Sequence, residues 1–223
     1  GTQLAYTNGP NAQPVIHVPT LIPPPAYAHV CPYIFRSADP SIQPESFGFL
    51  DTLGLKSIVL LSIEYPSKQL EVYCAKNHIE IHHFGIERRW PSPNNLESSS
   101  SASSHLFFSS QEINSFSVLE SIVKDALELL LDVRNHPVLV TDMCVYGTHI
   151  SAGIFETGTL LGCLRKIQGW NLSSILFEYR SFAGSLARSA NERFIEVRLH
   201  ILSYNFRCLI LTYNLSLIHI SDG

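Results

Sequence analysis

Apolar residues along this chain recur in two rhythms, and the alternation between them outlines the fold. Lys56-Ser-Ile-Val-Leu-Leu-Ser62 is short and almost wholly apolar, the pattern of a strand buried on both faces. Ser67 to Lys76 has helical spacing, and Ile79 to Phe84 alternates as a strand does. Strand, helix and strand in that order predict a right-handed crossover and a parallel sheet. From Ile113 to Leu131 one stripe holds Phe116, Leu119, Ile122, Val123, Ala126, Leu127 and Leu130, which predicts a long amphipathic helix. Asn135-His136-Pro137 stops it, and Val138-Leu-Val140 follows as another buried strand. Beyond a loop reaching Gly158, helices are predicted at Thr159 to Gln168 and Leu172 to Ala183. Near the start, Tyr33-Ile-Phe35 reads as a strand running into Arg36-Ser37, and Phe47 to Leu53 as a short helix. The expected fold is α/β in three layers, a central mostly parallel sheet with helices on both faces.

The boundaries follow from composition. Residues 1–23 carry Pro10, Pro14, Pro19 and Pro23, and proline prevents a packed helix, so an extended arm is expected there. One domain is expected over 24–197. Within it, 90–112 is low in complexity and Ser-rich, and reads as a mobile loop. Residues 198–223 form an apolar tail, interrupted by Arg198, His200, Asn205, Arg207 and Asn214, which makes a poor membrane span.

Charge and cysteine usage narrow the function. Fifteen Lys+Arg against nineteen Asp+Glu leave a net charge of -4, without the basic excess expected of a nucleic-acid or membrane binder. The five cysteines are scattered, with no CxxC pair, so neither a disulfide framework nor a zinc site is expected. No basic-then-apolar leader opens the sequence, and a cytoplasmic setting is expected. His82 and His83 are neighbours on an alternating strand and point to opposite faces. No metal and no cofactor are expected.

The strand Val138–Val140, the loop after it and the helix near Gly158 form a junction suited to phosphate, because amide groups at a helix N-terminus point at an anion. Around it, several fragments stand in a fixed order. They include Tyr33-Ile-Phe-Arg36-Ser37, Glu64-Tyr65-Pro66, Asn135-His136-Pro137, Thr157-Gly158, Gly162-Cys-Leu-Arg-Lys166, Glu178-Tyr179-Arg180 and Phe194-Ile195-Glu196. Together they resemble the plant and fungal atypical dual-specificity (tyrosine) phosphatases. The resemblance is nearest to a fungal group linked to oxidant-induced cell-cycle arrest and oxidative stress. It implies a phosphatase fold, phosphotyrosine or inositol pyrophosphate substrates, and action in assemblies.

Active members carry His-Cys-x-x-Gly-Lys-His-Arg-Thr-Gly at this loop. Here the strand runs into Thr141-Asp142, and the motif ends on Gly153-Ile-Phe-Glu156-Thr157-Gly158. The two halves meet only if 143–150 is an insertion. Asp142 then stands at the cysteine position and Glu156 at the arginine position, so no catalytic residue is expected. Glu156 is expected to repel phosphate. Cys144 is the fallback nucleophile, although no arginine follows it at the motif distance, and Asp142 beside it would raise its pKa. Asp142 acting as a carboxylate nucleophile would need Mg²⁺ and further acidic ligands, for which no motif exists. Arg88, Arg89 and Arg165 are the candidate phosphate-binding cations, with surface charge as the plainer reading of each.

The expected function is a pseudophosphatase, a binding or scaffold subunit in stress or phosphate-linked signalling. Its expected partners are related phosphatase-like proteins in a hetero-complex, with a phosphorylated small molecule as a further ligand and neither nucleic acid nor membrane. The alternative is an active cysteine phosphatase of phosphotyrosine or inositol pyrophosphates.

Overall fold

A computed structural model describes residues 20–85, 110–146, 149–152 and 154–197, with the backbone path alone for 110–119, 144–146 and 149–152. Its strands are β1 (Ala28–Cys31), β2 (Ile34–Ala38), β3 (Ser57–Leu60), β4 (Glu80–His83), β5 (Val138–Tyr146) and β6 (His149–Ala152). The α-helices are α1 (Phe47–Leu50), α2 (Lys68–Asn77), α3 (Ser110–Leu131), α4 (Phe155–Ile167), α5 (Leu172–Ala183) and α6 (Ser189–Val197). The main sheet runs β1-β2-β5-β3-β4. β2, β5, β3 and β4 are mutually parallel, and β1 joins antiparallel at the edge.

Alternation along the buried strands divides the core. Ile34, Val59, Val138 and Val140 face one side and pack with α3, α4, α5 and α6 through Val123, Leu127, Leu160, Leu164, Tyr179 and Ile195. Phe35, Ile58 and Leu139 face the other and pack with α1 and α2 through Leu50, Leu70 and Cys74. This is the expected arrangement, a mostly parallel sheet covered on both faces. A strand between two helical layers has no polar face to spare, which is why 56–62 and 138–140 read as continuous apolar runs.

Local chemistry fixes the ends. Ser67 caps α2, its Oγ accepting from the Leu70 N–H at 3.2 Å. Asn171 caps α5, its Oδ1 accepting from the Ser174 N–H at 2.8 Å. Such caps satisfy amides that have no partner within the helix. Between α4 and α5 the chain reverses through Gly169 at φ +84°, a conformation costly for a residue with a Cβ. Gly158 and Gly162 sit one turn apart on α4, where α5 and α6 press close. A Cβ at Gly158 would lie 2.8 Å from the Tyr179 ring, and one at Gly162 2.7 Å from Ile195 Cδ1.

Three expectations need correction. Residues 143–146, expected as part of an insertion interrupting the loop, are strand and not loop. β5 continues to Tyr146 and β6 returns beside it as an antiparallel hairpin, with Met143 opposite Ala152 and Tyr146 opposite His149. Val145 and Ile150 stand opposite one another there. The helix expected from Thr159 begins at Phe155, because Ile154 accepts the first helical bond from the Gly158 N–H at 3.0 Å. The Ser-rich segment expected to reach residue 112 ends sooner, since 110–112 already belong to α3. The arm 1–23 lies almost wholly outside the described residues, as do 90–109 and the tail 198–223. Among the described residues no helix is long and apolar enough to cross a membrane.

Candidate functional site

The site is the junction where β5 leaves the carboxyl edge of the parallel sheet and the chain enters α4, a common ligand position in α/β folds. Ala38 of β2 pairs with Asp142 on one side of β5. On the other side, just past β3, Ser62 Oγ accepts from the Met143 N–H at 2.6 Å. Asp142 is held between them, fully buried. Its Oδ2 accepts from the backbone N–H of Thr157, in the first turn of α4, at 2.8 Å. A carboxylate of the chain itself therefore rests on an amide of the helix N-terminus.

Glu156 shares that turn. Burial first, and the neighbouring Asp142 second, push its carboxyl up to about 8, while Arg188 pulls the other way. At neutral pH the side chain is thus mostly protonated, and the repulsion expected of it is largely absent. The charge facing an incoming anion is that of Asp142. Glu156 Oε2 is buried without a hydrogen-bond partner, as is the hydroxyl of Thr157. Buried polar atoms are normally paired, so two orphans in the first turn of α4 mark it out.

Two arginines missed from the sequence approach this region. Arg36 of β2 is 1% exposed, and its guanidinium lies 3.6 Å from the centre of the Phe182 ring. Burial lowers its pKa to about 10, opposed by the attraction of Asp142 and Glu178. Arg188, just before α6, stacks 3.4 Å over Phe155, and its backbone N–H donates to Tyr179 Oη at 3.2 Å. The signal for Arg36 was legible as a charged residue interrupting an apolar strand. For Arg188 no spacing pointed to the junction, because it arrives there from thirty-two residues beyond Glu156 in the sequence.

The other predicted positions fall as follows. Gly158 packs against Tyr179, so its role here is close helix approach. Gly153, Arg88 and Arg89 lie outside the described residues. Cys144 stands on the extension of β5, opposite Ser151 in the hairpin. Arg165 is corrected, both as a phosphate cation and as surface charge. It is 6% exposed, makes two 2.9 Å bonds to Glu178 and one of 3.1 Å to Gln168, and stacks 4.2 Å from the centre of the Trp170 ring. Lys166 beside it donates to the carbonyls of Ile195 and Glu196, at 2.9 and 2.6 Å, which anchors the end of α6. Arg180 pairs with Glu192 of α6. His83 Nε2 lies 2.6 Å from the Ser62 carbonyl. Cys163 is a buried core residue, its thiol pushed up to about 12 by burial.

Residues 21–201 match the tyrosine phosphatase family. The chain belongs to that family. It is 39% identical over 177 residues to inositol diphosphatase DSP5 of Arabidopsis thaliana, covering 79% of this chain and 71% of that protein. To putative tyrosine-protein phosphatase OCA1 of Mycosarcoma maydis it is 38% identical over 178 residues, covering 79% of this chain and 92% of that one. Among solved structures, the fold matches the core catalytic domain of the PP-IP phosphatase SIW14 of S. cerevisiae, solved with citrate. That match has a TM-score of 0.64 and 28% identity, covering 87% of this chain and 96% of that one. The phosphatase fold expected from the sequence is thereby established.

Proposed function

We propose that this family member does not itself hydrolyse phosphate esters and serves as a binding or scaffold subunit in phosphate-linked or stress signalling. Its partners in this reading are related phosphatase-like chains in a hetero-complex. The observation that carries the reading is Asp142, a buried carboxylate in β5 engaged by the Thr157 amide. Cysteine phosphatases need a thiolate nucleophile there, stabilised by helix amides and by an arginine that clamps the phosphoryl oxygens. A carboxylate repels that phosphoryl group, and neither Ile154 nor Glu156 supplies a cation in the following turn.

The relatives lend more weight to a second reading, hydrolysis of inositol diphosphates or phosphotyrosine. Similar proteins are named inositol diphosphatase or tyrosine-protein phosphatase, and the similar fold is that of a PP-IP phosphatase core. In this reading Cys144 is the nucleophile.

Phosphate release separates the two. The purified chain is offered an aryl phosphate and an inositol diphosphate beside the Cys144→Ser and Asp142→Ala variants. The scaffold reading expects no release above the variants. Turnover lost in Cys144→Ser and kept in Asp142→Ala would overturn it and establish the hydrolase.

A further inference from the structure

We propose that the Asp142 carboxylate is a built-in phosphate mimic, an internal anion that fills the seat at the N-terminus of α4 and keeps external phosphate out. The inference rests on the non-hydrolytic reading above and says how the seat is closed. Asp142 is fully buried, and its Oδ2 takes the Thr157 amide at 2.8 Å. An amide in the first turn of a thirteen-residue helix is where an anion gains most from unpaired N–H groups and the helix dipole. A second observation concerns side chains. The fully buried Thr157 hydroxyl and Glu156 Oε2 have no hydrogen-bond partner. Both belong to the turn whose amide holds the carboxylate, and a tetrahedral oxyanion has more acceptor oxygens than a carboxylate to offer such donors.

The surrounding charge favours one anion and not two. Arg36 from β2 and Arg188 from the segment before α6 are the cations acting on the pair, while Glu64 after β3 and Glu178 of α5 add negative charge. With Glu156 largely protonated at neutral pH, Asp142 is the group that sets the balance. Its removal leaves the helix N-terminus, the unpaired Thr157 hydroxyl and the pull of two arginines without their internal anion.

The test titrates orthophosphate, with tungstate as a second probe, into the full chain and into Asp142→Ser and Asp142→Asn. Binding is read by calorimetry and by the backbone amide resonance of Thr157. The wild-type Thr157 resonance is expected to stay put, whereas that of Asp142→Ser moves and saturates, with phosphate bound roughly tenfold tighter or more. Should the serine variant not fold, Asp142→Asn preserves the shape and the Thr157 bond, and is also expected to bind tighter than wild type. Wild type that binds phosphate as tightly as a folded variant, or a folded variant that gains no affinity, overturns the proposal. Failure of the non-hydrolytic reading is seen separately, as phosphate release by wild type, and does not depend on these affinities.

Discussion

The two ends of α4 treat buried charge in opposite ways. At its C-terminal end Arg165 is compensated on every side, by two bonds to Glu178, one to Gln168 and the Trp170 ring. A cation also suits the negative end of the helix dipole. At its N-terminal end two carboxyl groups, Asp142 and Glu156, crowd one turn, and Glu156 answers by keeping its proton. The first arrangement is a strut that locks α5 to α4. The second sets a buried carboxylate on an amide of the helix N-terminus. Position along the same helix thus separates a paired charge from a crowded one.

The largest effect is expected at the strut. Arg165→Ala strands the Glu178 carboxylate and should cost about 3–5 kcal/mol, read as a shift of the urea midpoint. Adding Glu178→Gln should recover part of that loss. A cost under about 1 kcal/mol would erase the contrast, because such values belong to exposed pairs.

An intermediate effect is expected from Glu156, and its sign follows from linkage. The carboxyl sits near 4.5 in the unfolded chain and near 8 in the fold, so between those values the folded state holds the proton more tightly. The stability this contributes is fully present below about pH 4.5 and is lost as pH rises to about 8. Glu156→Gln should therefore flatten the fall in stability across that window. Matching slopes in wild type and variant would mean that the proton sits elsewhere.

The smallest effect is expected at Arg180, whose side chain is 57% exposed while it pairs with Glu192. Arg180→Ala should shift the thermal midpoint least of the three, and high salt should abolish the difference, since solvent and ions screen exposed pairs. A loss comparable to that of Arg165→Ala would show that α6 depends on this pair and not on its apolar face.

The layers of the fold were legible because buried parallel strands and amphipathic helices each impose a period on the sequence. Residues 56–62 and 138–140 could hardly be read otherwise, and the helix read at Leu172–Ala183 has those bounds in the structure. The hairpin at β5 and β6 was not legible. Residues 143–150 within it read as an interruption of a phosphate loop, and the pairing exists because β5 runs on past the sheet edge. β1 and α6 were missed for a related reason. Each is short, and each draws its stability from a neighbour, β1 from its pairing with β2 and α6 from Phe194 and Ile195 packed in the core.

By itself the sequence determined the family pattern and the mostly parallel sheet. Those are matters of residue type and local period. Only the tertiary structure decided what the charges do. It paired Arg165 with Glu178 across two helices, brought Arg36 and Arg188 toward one junction from distant segments, and set Asp142 on the Thr157 amide. It also reversed the expectation for Glu156. A carboxyl written as negative in the sequence keeps its proton once burial and a like-charged neighbour make the charged form the costlier one.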